Sequence, residues 1–127
     1  MRITRIYADE SGESRFADAA IQMVSTALFP QLPPFRLCAF SGNGDIKLFS
    51  TPPELHVFDF HTAPTRQFAI ALSGTVEYET SDGEIRRQAP GSVVLVEDTR
   101  GRGHITRFAD GEQFFLFIPV PDDLVTT

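Results

Sequence analysis

The segment that decides the fold runs from His61 to Gly74 and has the sequence HTAPTRQFAIALSG. It opens with a histidine, turns at Pro64 and alternates between bulky and small or polar side chains from Arg66 onward. This alternation is typical of a β-strand, because successive side chains of a strand point to opposite faces. A second histidine, His104, begins another short alternating run. The sequence therefore predicts two imidazoles carried on two strands of a β-rich domain.

The composition of the chain agrees with a single β-rich domain over residues 1–127. It contains twelve Phe, no Trp, nine Gly and nine Pro, and the glycines and prolines supply tight turns. The net charge of −6 argues against nucleic acid, which needs a basic face, and against an anionic membrane surface. Because Cys38 is the only cysteine and no apolar run reaches membrane-spanning length, we expect a cytoplasmic protein.

Short strands separated by turns are predicted along most of the chain. Their expected positions are 2–7, 35–40, 46–49, 55–61, 66–73, 75–80, 84–88, 92–97, 104–108 and 113–118, with a turn at 109–112. The segment 15–24 fits either a short helix or a further strand. About ten such strands imply an all-β sandwich or barrel, and not a fold of alternating strands and helices.

Several strand pairings are also predicted from the turns. The sequence SGNGD at 41–45 is a hairpin signal, so strands 35–40 and 46–49 are expected to pair with each other. The strand at 75–80 is expected to pair back on the strand before it. The strand at 2–7 is expected at a sheet edge.

Strand alternation also assigns side chains to faces. On the strand ending at His61, Asp59 shares the histidine's face. On the strand that follows, one face is bulky and the other carries only small or polar groups, Gln67, Ala69 and Ala71. Two arrangements stay open: the bulky face forms the core, or both faces are buried and the small face lines a ligand cavity.

The segment from His61 to His104 resembles the cupin superfamily of small jelly-roll barrels. His61 matches the first histidine of the first cupin motif, and Gly74 matches the glycine that ends it. Ala63 stands where the second histidine belongs, and Gln67 replaces the glutamate. Two of the four ligand positions of the motifs are therefore occupied by histidine.

The second cupin motif is resembled by Gly83, the Pro90–Gly91 turn and His104. The resemblance implies a single-domain jelly-roll β-barrel, also called a double-stranded β-helix. Its core would comprise residues 55–120, with the N-terminal strands and Pro-rich loops of residues 1–54 covering the barrel. A homodimer is expected, because the Phe-rich faces give more apolar surface than one small barrel needs.

The resemblance places a site inside the barrel around Asp59, His61, Gln67 and His104. If a divalent metal is bound (Fe, Mn, Ni or Zn), these four residues are its candidate ligands, with Asp59 as the carboxylate of a two-histidine-one-carboxylate set. An equally open alternative is a metal-free pocket in which the same residues act on the substrate directly, with a histidine as general acid or base.

Three functional hypotheses follow from the resemblance. The first is a small-molecule enzyme, either an acid–base isomerase, epimerase, dehydratase or cyclase, or a weakly metal-assisted, dioxygenase-like enzyme. The second is a non-catalytic cupin that binds a small molecule in the same cavity. The third is a structural, storage-type cupin, which the small size and the two histidines disfavour.

Other polar residues receive simpler predictions. His56 falls on the face opposite His61 and is interpreted as a packing or partly exposed residue, and Tyr78 lies on an ordinary hairpin strand. Arg66 is expected to pair with an acidic residue across the sheet. Glu97 and Asp98 either form a salt bridge or turn cap with the arginines of the following loop, or supply a general acid or base at the barrel mouth.

Overall fold

The computed structural model describes residues 1–109 and 111–127, and within them it contains strands and no helix. The prediction of an all-β fold is thus confirmed. The twelve strands are β1 Arg2–Ala8, β2 Ser14–Ala20, β3 Val24–Thr26, β4 Phe35–Leu37, β5 Lys47–Ser50, β6 Val57–His61, β7 Gln67–Ala71, β8 Val76–Thr80, β9 Ile85–Gln88, β10 Val93–Val96, β11 His104–Phe108 and β12 Phe114–Pro119. The turn predicted at 109–112 includes Asp110, which lies outside the described residues. Across the described ranges, no helix is long and apolar enough to span a membrane.

The strands form three sheets. The largest has the order β2-β1-β10-β7-β12-β5, the second has the order β6-β11-β8-β9, and β3 pairs only with β4. The pairing of β1 with β10 is parallel, and the other strand pairings are antiparallel. The two larger sheets pack against each other, which is compatible with a β-sandwich, and the described strands do not close into a barrel.

Two apolar clusters hold the sheets in place. The first lies between the two larger sheets and joins side chains such as Ile6 and Val94 of one sheet to Val76 and Phe108 of the other. The second covers the outer face of the six-stranded sheet, where Phe68 packs with the C-terminal segment. The six-stranded sheet is therefore buried on both faces over much of its area. Of the two arrangements that the sequence left open, this is the one in which the small face of β7 lines a cavity.

Strand β7 shows how this double burial divides its side chains. Its small face, which includes Ala69 and Ala71, points between the two sheets, while Phe68 is buried on the outer side. Leu72, just beyond the strand, is half exposed. The small side chains leave room between the sheets, and that room is the cavity described below.

Three predictions about strand pairing and strand position are wrong. The strand β4 pairs with β3, and β5 pairs with β12, so the segments 35–40 and 46–49 do not form a hairpin. The glycine-rich loop between them contacts the end of β12 instead, where the Asn43 N–H donates a hydrogen bond to the Pro119 carbonyl. Strand β5 follows this loop and forms the edge of the six-stranded sheet. Strand β1 is not at an edge, because it lies between β2 and β10. The ambiguous segment 15–24 contains strand β2.

The third wrong prediction concerns β8, which pairs with β9 and β11 and not with β7. Gly74 sits at the corner where the chain leaves one sheet for the other, and its φ of +73° is one that glycine adopts readily. The Gln113 amide donates hydrogen bonds to the carbonyls of Ser73 and Thr75 on either side of this corner. A Cβ atom at Gly74 would overlap the end of the Gln113 side chain, so a larger residue here would displace the amide that bonds both carbonyls.

A second glycine brings together the two strands that carry the histidines. Gly103 precedes β11 and has a φ of +75°, and a Cβ atom there would lie 2.2 Å from the carbonyl oxygen of His61. This is far inside a normal contact distance, and the opposing atom belongs to the backbone. The end of β6 therefore approaches the start of β11 only because residue 103 has no side chain.

We predict that Gly103→Ala destabilises the protein by about 3 kcal/mol or more, because it adds a backbone clash to the cost of positive φ. Gly83→Ala is the matched control, since Gly83 has a φ of +91° with open space around it. The control should lose only about 1–2 kcal/mol, the cost of the backbone conformation. Urea denaturation of both variants measures the difference, and equal losses would contradict the close approach.

Candidate functional site

A cavity of about 440 Å³ lies between the two larger sheets. It is lined by strands of both sheets and by the segments that flank β6. Its walls are mainly apolar, and its polar side chains include both predicted site histidines. The lining residues are Phe49, Ser50, Thr51, Pro52, Leu55, Phe58, His61, Thr62, Ala63, Pro64, Gln67, Ala69, Tyr78, Val96, His104, Thr106, Phe108, Phe115 and Phe117.

A β-bulge in β6 decides which of its side chains reach the cavity. His61 pairs with His104 and Phe58 pairs with Thr106, so three steps along β6 match two steps along β11. The extra residue shifts the alternation, and Phe58 and His61 both line the cavity. The simple face assignment of the sequence placed these two side chains on opposite faces, because a regular strand has no such shift.

The bulge leaves Asp59 outside the cavity. Its side chain is exposed, and its Oδ1 atom accepts a hydrogen bond from the neighbouring N–H of Phe60 at 2.8 Å. Asp59 contributes to the site through its backbone, because its carbonyl accepts a hydrogen bond from Nδ1 of His61 at 2.7 Å. The structure thus brings His61, Gln67 and His104 together at the cavity but does not bring the Asp59 carboxylate there.

The carboxylate that reaches a histidine is Asp98. It follows β10, is fully buried, and its Oδ2 atom lies 2.6 Å from Nδ1 of His104. Its Oδ1 atom is also buried and has no hydrogen-bond partner among the described residues. The sequence left open that Asp98 pairs with an arginine of the following loop, but its carboxylate bonds to His104. Asp98 instead supports a histidine from the side away from the cavity.

The two imidazoles are close together and have matching hydrogen bonds. Their ring centroids are 4.5 Å apart. A carbonyl or a carboxylate accepts hydrogen bonds, so the Asp59 carbonyl and the Asp98 carboxylate each hold the proton of a neutral ring on Nδ1. The Nε2 atom of each ring then carries a lone pair and has no hydrogen-bond partner among the described residues. Both histidines therefore present a basic nitrogen to a molecule in the cavity.

The surroundings of the site change two pKa values. Burial lowers the pKa of His61 below its ordinary value of 6.5, and charge repulsion from the His104 ring, when that ring is protonated, lowers it further. The Asp59 carbonyl and the Asp98 charge oppose this shift without cancelling it. Burial also raises the pKa of Tyr78 far above its ordinary value of 10.0, so its hydroxyl keeps its proton at neutral pH.

Tyr78 is the residue that the sequence prediction missed. It lines the cavity, and its ring centroid lies 5.9 Å from that of His104. A signal for it exists, because Tyr78 lies between Glu77 and Glu79 on β8, and strand alternation turns it inward when the two glutamates face outward. The glutamates do face outward, where both pair with Arg107.

The remaining predicted residues lie around the site. Gln67 is buried and lines the cavity, with no hydrogen bond to its amide among the described residues. Arg66 pairs with Glu97 across the sheet, as expected, and also binds the carbonyls of Pro121 and Leu124. His56 is exposed and does not line this cavity.

The donor atoms in the cavity do not match a two-histidine-one-carboxylate metal site. The described residues contain no group of three or more His, Cys, Asp and Glu side chains arranged to hold a metal ion. At the cavity, His61 and His104 offer two imidazoles, while Gln67 offers a neutral amide and Ala63 offers nothing. The nearest carboxylate, Asp98, uses an oxygen on His104 and supports the ring instead of facing the cavity.

Comparison of the sequence with protein-family models and with curated proteins finds no match. The functional argument therefore depends on the geometry of the cavity and on the chemistry of the groups that line it.

We predict that the pKa of His61 lies below 6.5 and falls further in Asp98→Asn, because the Asp98 charge favours the protonated ring. Titration of the imidazole NMR signals, assigned with His61→Gln, measures both values.

A pKa of His61 that is lower in the folded than in the unfolded chain means that the unfolded chain binds more protons below pH 6.5. The unfolding free energy should therefore fall as the pH drops from 6.5 towards the lowered pKa of His61. A His61 pKa at or above 6.5 would contradict the prediction.

Proposed function

We propose that this protein is a small-molecule enzyme of the acid–base type, acting on a substrate held between the two sheets. The observation that carries the proposal is the buried Asp98 carboxylate bonded to Nδ1 of His104, with the Nε2 atom of the same ring left free at a cavity. A carboxylate in this position orients the imidazole, selects its tautomer and stabilises the positive charge that forms when Nε2 takes a proton. His104 is then the general base.

Within this proposal the fold is a cupin-like jelly roll. Support comes from two packed, mainly antiparallel sheets with a cavity between them, and from the position of His61 and His104 on adjacent strands. Gly74, at the corner between the sheets, and Gly83, in the turn between β8 and β9, supply turns where the cupin motifs have glycine. The same resemblance favours a small-molecule substrate over a macromolecular one.

The proposed reaction is proton transfer at a carbon next to a carbonyl group. His104 Nε2 takes the proton, and the electron pair of the broken C–H bond moves into the carbonyl to give an enolate. The Tyr78 hydroxyl and the Gln67 amide are hydrogen-bond donors at the cavity that can stabilise the enolate oxygen. Return of the proton to the other face or to another carbon completes an epimerisation or isomerisation, and loss of a β-hydroxyl as water completes a dehydration.

His61 is assigned the second proton-transfer role. Its side chain is half-buried and so more accessible to solvent than the buried His104, and its lowered pKa keeps Nε2 unprotonated at neutral pH. A neutral imidazole in this position can take the proton from the substrate's second face or pass it to the solvent. The short distance between the two rings suits such an exchange.

A non-catalytic binding protein is the second candidate function. The apolar character of most of the lining favours it, because apolar walls with a few polar groups are also what ligand binding alone needs. The weakly metal-assisted alternative is disfavoured by the donor set described above, since a dioxygenase-type centre would need a third strong ligand.

We predict that the protein accelerates hydrogen–deuterium exchange next to the carbonyl of 2-tetralone, an uncharged bicyclic ketone, in D₂O followed by NMR. Asp98→Asn and His104→Gln should reduce the exchange rate by a factor of about 10²–10⁴, because each removes part of the general base. His56→Gln is the matched control, since this third histidine is exposed and outside the cavity, and it should keep the wild-type rate.

The same assay separates the alternatives. Exchange that survives EDTA supports the acid–base enzyme, whereas exchange that EDTA abolishes and Fe, Mn, Ni or Zn restores supports the metal-assisted one. Binding of 2-tetralone without exchange supports the non-catalytic protein. Equal rates in the wild type, Asp98→Asn and His104→Gln would refute the assignment of the base.

A further inference from the structure

We infer that the substrate is an uncharged, mainly apolar molecule that carries one oxygen function, such as a ring ketone or its enol. The inference rests on the proposed function and narrows it to a class of substrate. It follows from the distribution of charge and polar atoms around the cavity.

The described lining of the cavity contains no Asp, Glu, Lys or Arg, and the lowered pKa of His61 keeps that ring mainly neutral at physiological pH. The negative charge of Asp98 lies beside Nδ1 of His104. A carboxylate or phosphate on the substrate would lose its hydration here, find no Lys or Arg among the lining residues and be repelled by Asp98. Anionic substrates are therefore disfavoured.

The lining contains a cluster of three polar aromatic side chains and a cluster of three phenylalanines. His61, His104 and Tyr78 are near neighbours, and they offer two lone pairs and one hydroxyl proton. Phe49, Phe115 and Phe117 pack together in another part of the lining. A ligand that matches both clusters has one polar end, which accepts and donates a hydrogen bond, and an apolar or aromatic body.

The volume sets the size of this ligand. Sites for drug-sized ligands span about 300–1,000 Å³, and the cavity of about 440 Å³ falls near the lower end. Ala63 and Ala69 help to create this room, because each places only a methyl group in the wall. A bicyclic molecule with one oxygen function fits this range, whereas a nucleotide or a glycan chain is too polar for the lining.

The test compares two probes of nearly equal size, 2-naphthol and 2-naphthoate, by isothermal titration calorimetry at neutral pH. We expect 2-naphthol to bind at least about tenfold more tightly, which corresponds to about 1.4 kcal/mol. Lowering the pH until His61 is protonated should narrow this difference, because the ring then offers the anion a positive charge. Ala69→Phe, which fills the cavity, should weaken both probes, and Ala69→Leu serves the same purpose if the larger change prevents folding.

Each result decides the question. Equal or tighter binding of 2-naphthoate at neutral pH, or no binding of 2-naphthol, would overturn the substrate class. Failure of the proposed function is distinguishable, because His104→Gln loses proton transfer but keeps the uncharged lining, and it should still prefer 2-naphthol. A protein that prefers 2-naphthol and never exchanges the hydrogens of 2-tetralone would keep this inference and lose the enzymatic role.

A different observation concerns the outer face of the six-stranded sheet beside its edge strand β5. Ile70, Leu116 and Leu48 lie in one row across β7, β12 and β5, as the strand register shows. Phe114 and Leu72 lie in the next row. Leu48 is 73% exposed, and Leu72 and Phe114 are about half exposed. This apolar patch is unusual for a sheet face that meets water, where polar residues normally alternate with the core.

The hairpin formed by β3 and β4 rises from the same side of the molecule. Met23 and Cys38, at its base, pack on the cluster that covers the outer face of the six-stranded sheet. Its strands pair only with each other, and it exposes Leu28, Phe29 and Phe35. A two-stranded hairpin is marginally stable in water on its own, so it needs a packing partner.

The geometry points to a second copy of this chain as the partner that covers the patch and the hairpin. Half-exposed large side chains contribute about 100 Å² each, so the patch and the hairpin together present roughly 700 Å² of apolar surface. A stable interface buries about 800 Å² on each partner. In a two-fold dimer the hairpin of each chain can pack on the patch of the other, so one contact made twice covers both surfaces.

Sedimentation velocity over a range of protein concentrations tests this interface. We expect a dimer of the 14.1 kDa chain, and we expect Leu48→Lys and Phe114→Lys to raise its dissociation constant at least about tenfold, with circular dichroism unchanged. Ile85→Lys is the matched control, because Ile85 is also half exposed but lies on β9, in the other sheet. A monomer at every concentration, or a dimer that Leu48→Lys and Phe114→Lys leave intact, would overturn the proposal.

Discussion

The hydrogen bond between the buried Asp98 carboxylate and His104 is the interaction on which the site depends. Asp98 lies in the connection that carries the chain from β10 in one sheet to β11 in the other. Its backbone carbonyl also accepts a hydrogen bond from the N–H of Ala63, which follows β6. Removing the His104 ring would leave the buried carboxylate without its hydrogen-bond donor, which typically costs about 1–3 kcal/mol and more when the group is charged. The same residue therefore orients a histidine, joins two loops and ties the stability of the domain to the geometry of the cavity.

The arrangement of the two histidines depends on backbone features more than on side-chain packing. Gly103 allows the end of β6 to approach the start of β11, and the bulge in β6 turns His61 into the cavity. Each imidazole is then fixed at Nδ1 by an acceptor from the protein. The two Nε2 atoms are thus oriented before a ligand arrives, which reduces the cost of ordering the site upon binding.

Local patterns predicted the fold class and most strand positions, because alternation and turn residues are encoded within a few neighbours. They failed where the outcome depends on distant contacts. The loop 41–45 has the composition of a hairpin turn, yet β5 pairs with β12 because the loop docks against Pro119. The bulge in β6 is defined by its pairing with β11 and cannot be seen in the sequence of β6 alone. The prediction therefore placed Asp59 on the face that it would have in a regular strand. Asp98 was identified as a candidate, but its choice of partner depends on the way the two sheets pack.

The bulge in β6 has a consequence beyond the site. Strand β6 is an edge of the four-stranded sheet, and it exposes Val57, Phe58 and Phe60, so a regular ladder there would offer a template for adding strands from other molecules. The extra residue breaks the spacing of the ladder and twists the edge, which makes continuous pairing with a further strand unfavourable. The bulge that places His61 at the cavity therefore also disfavours the addition of further strands at this edge.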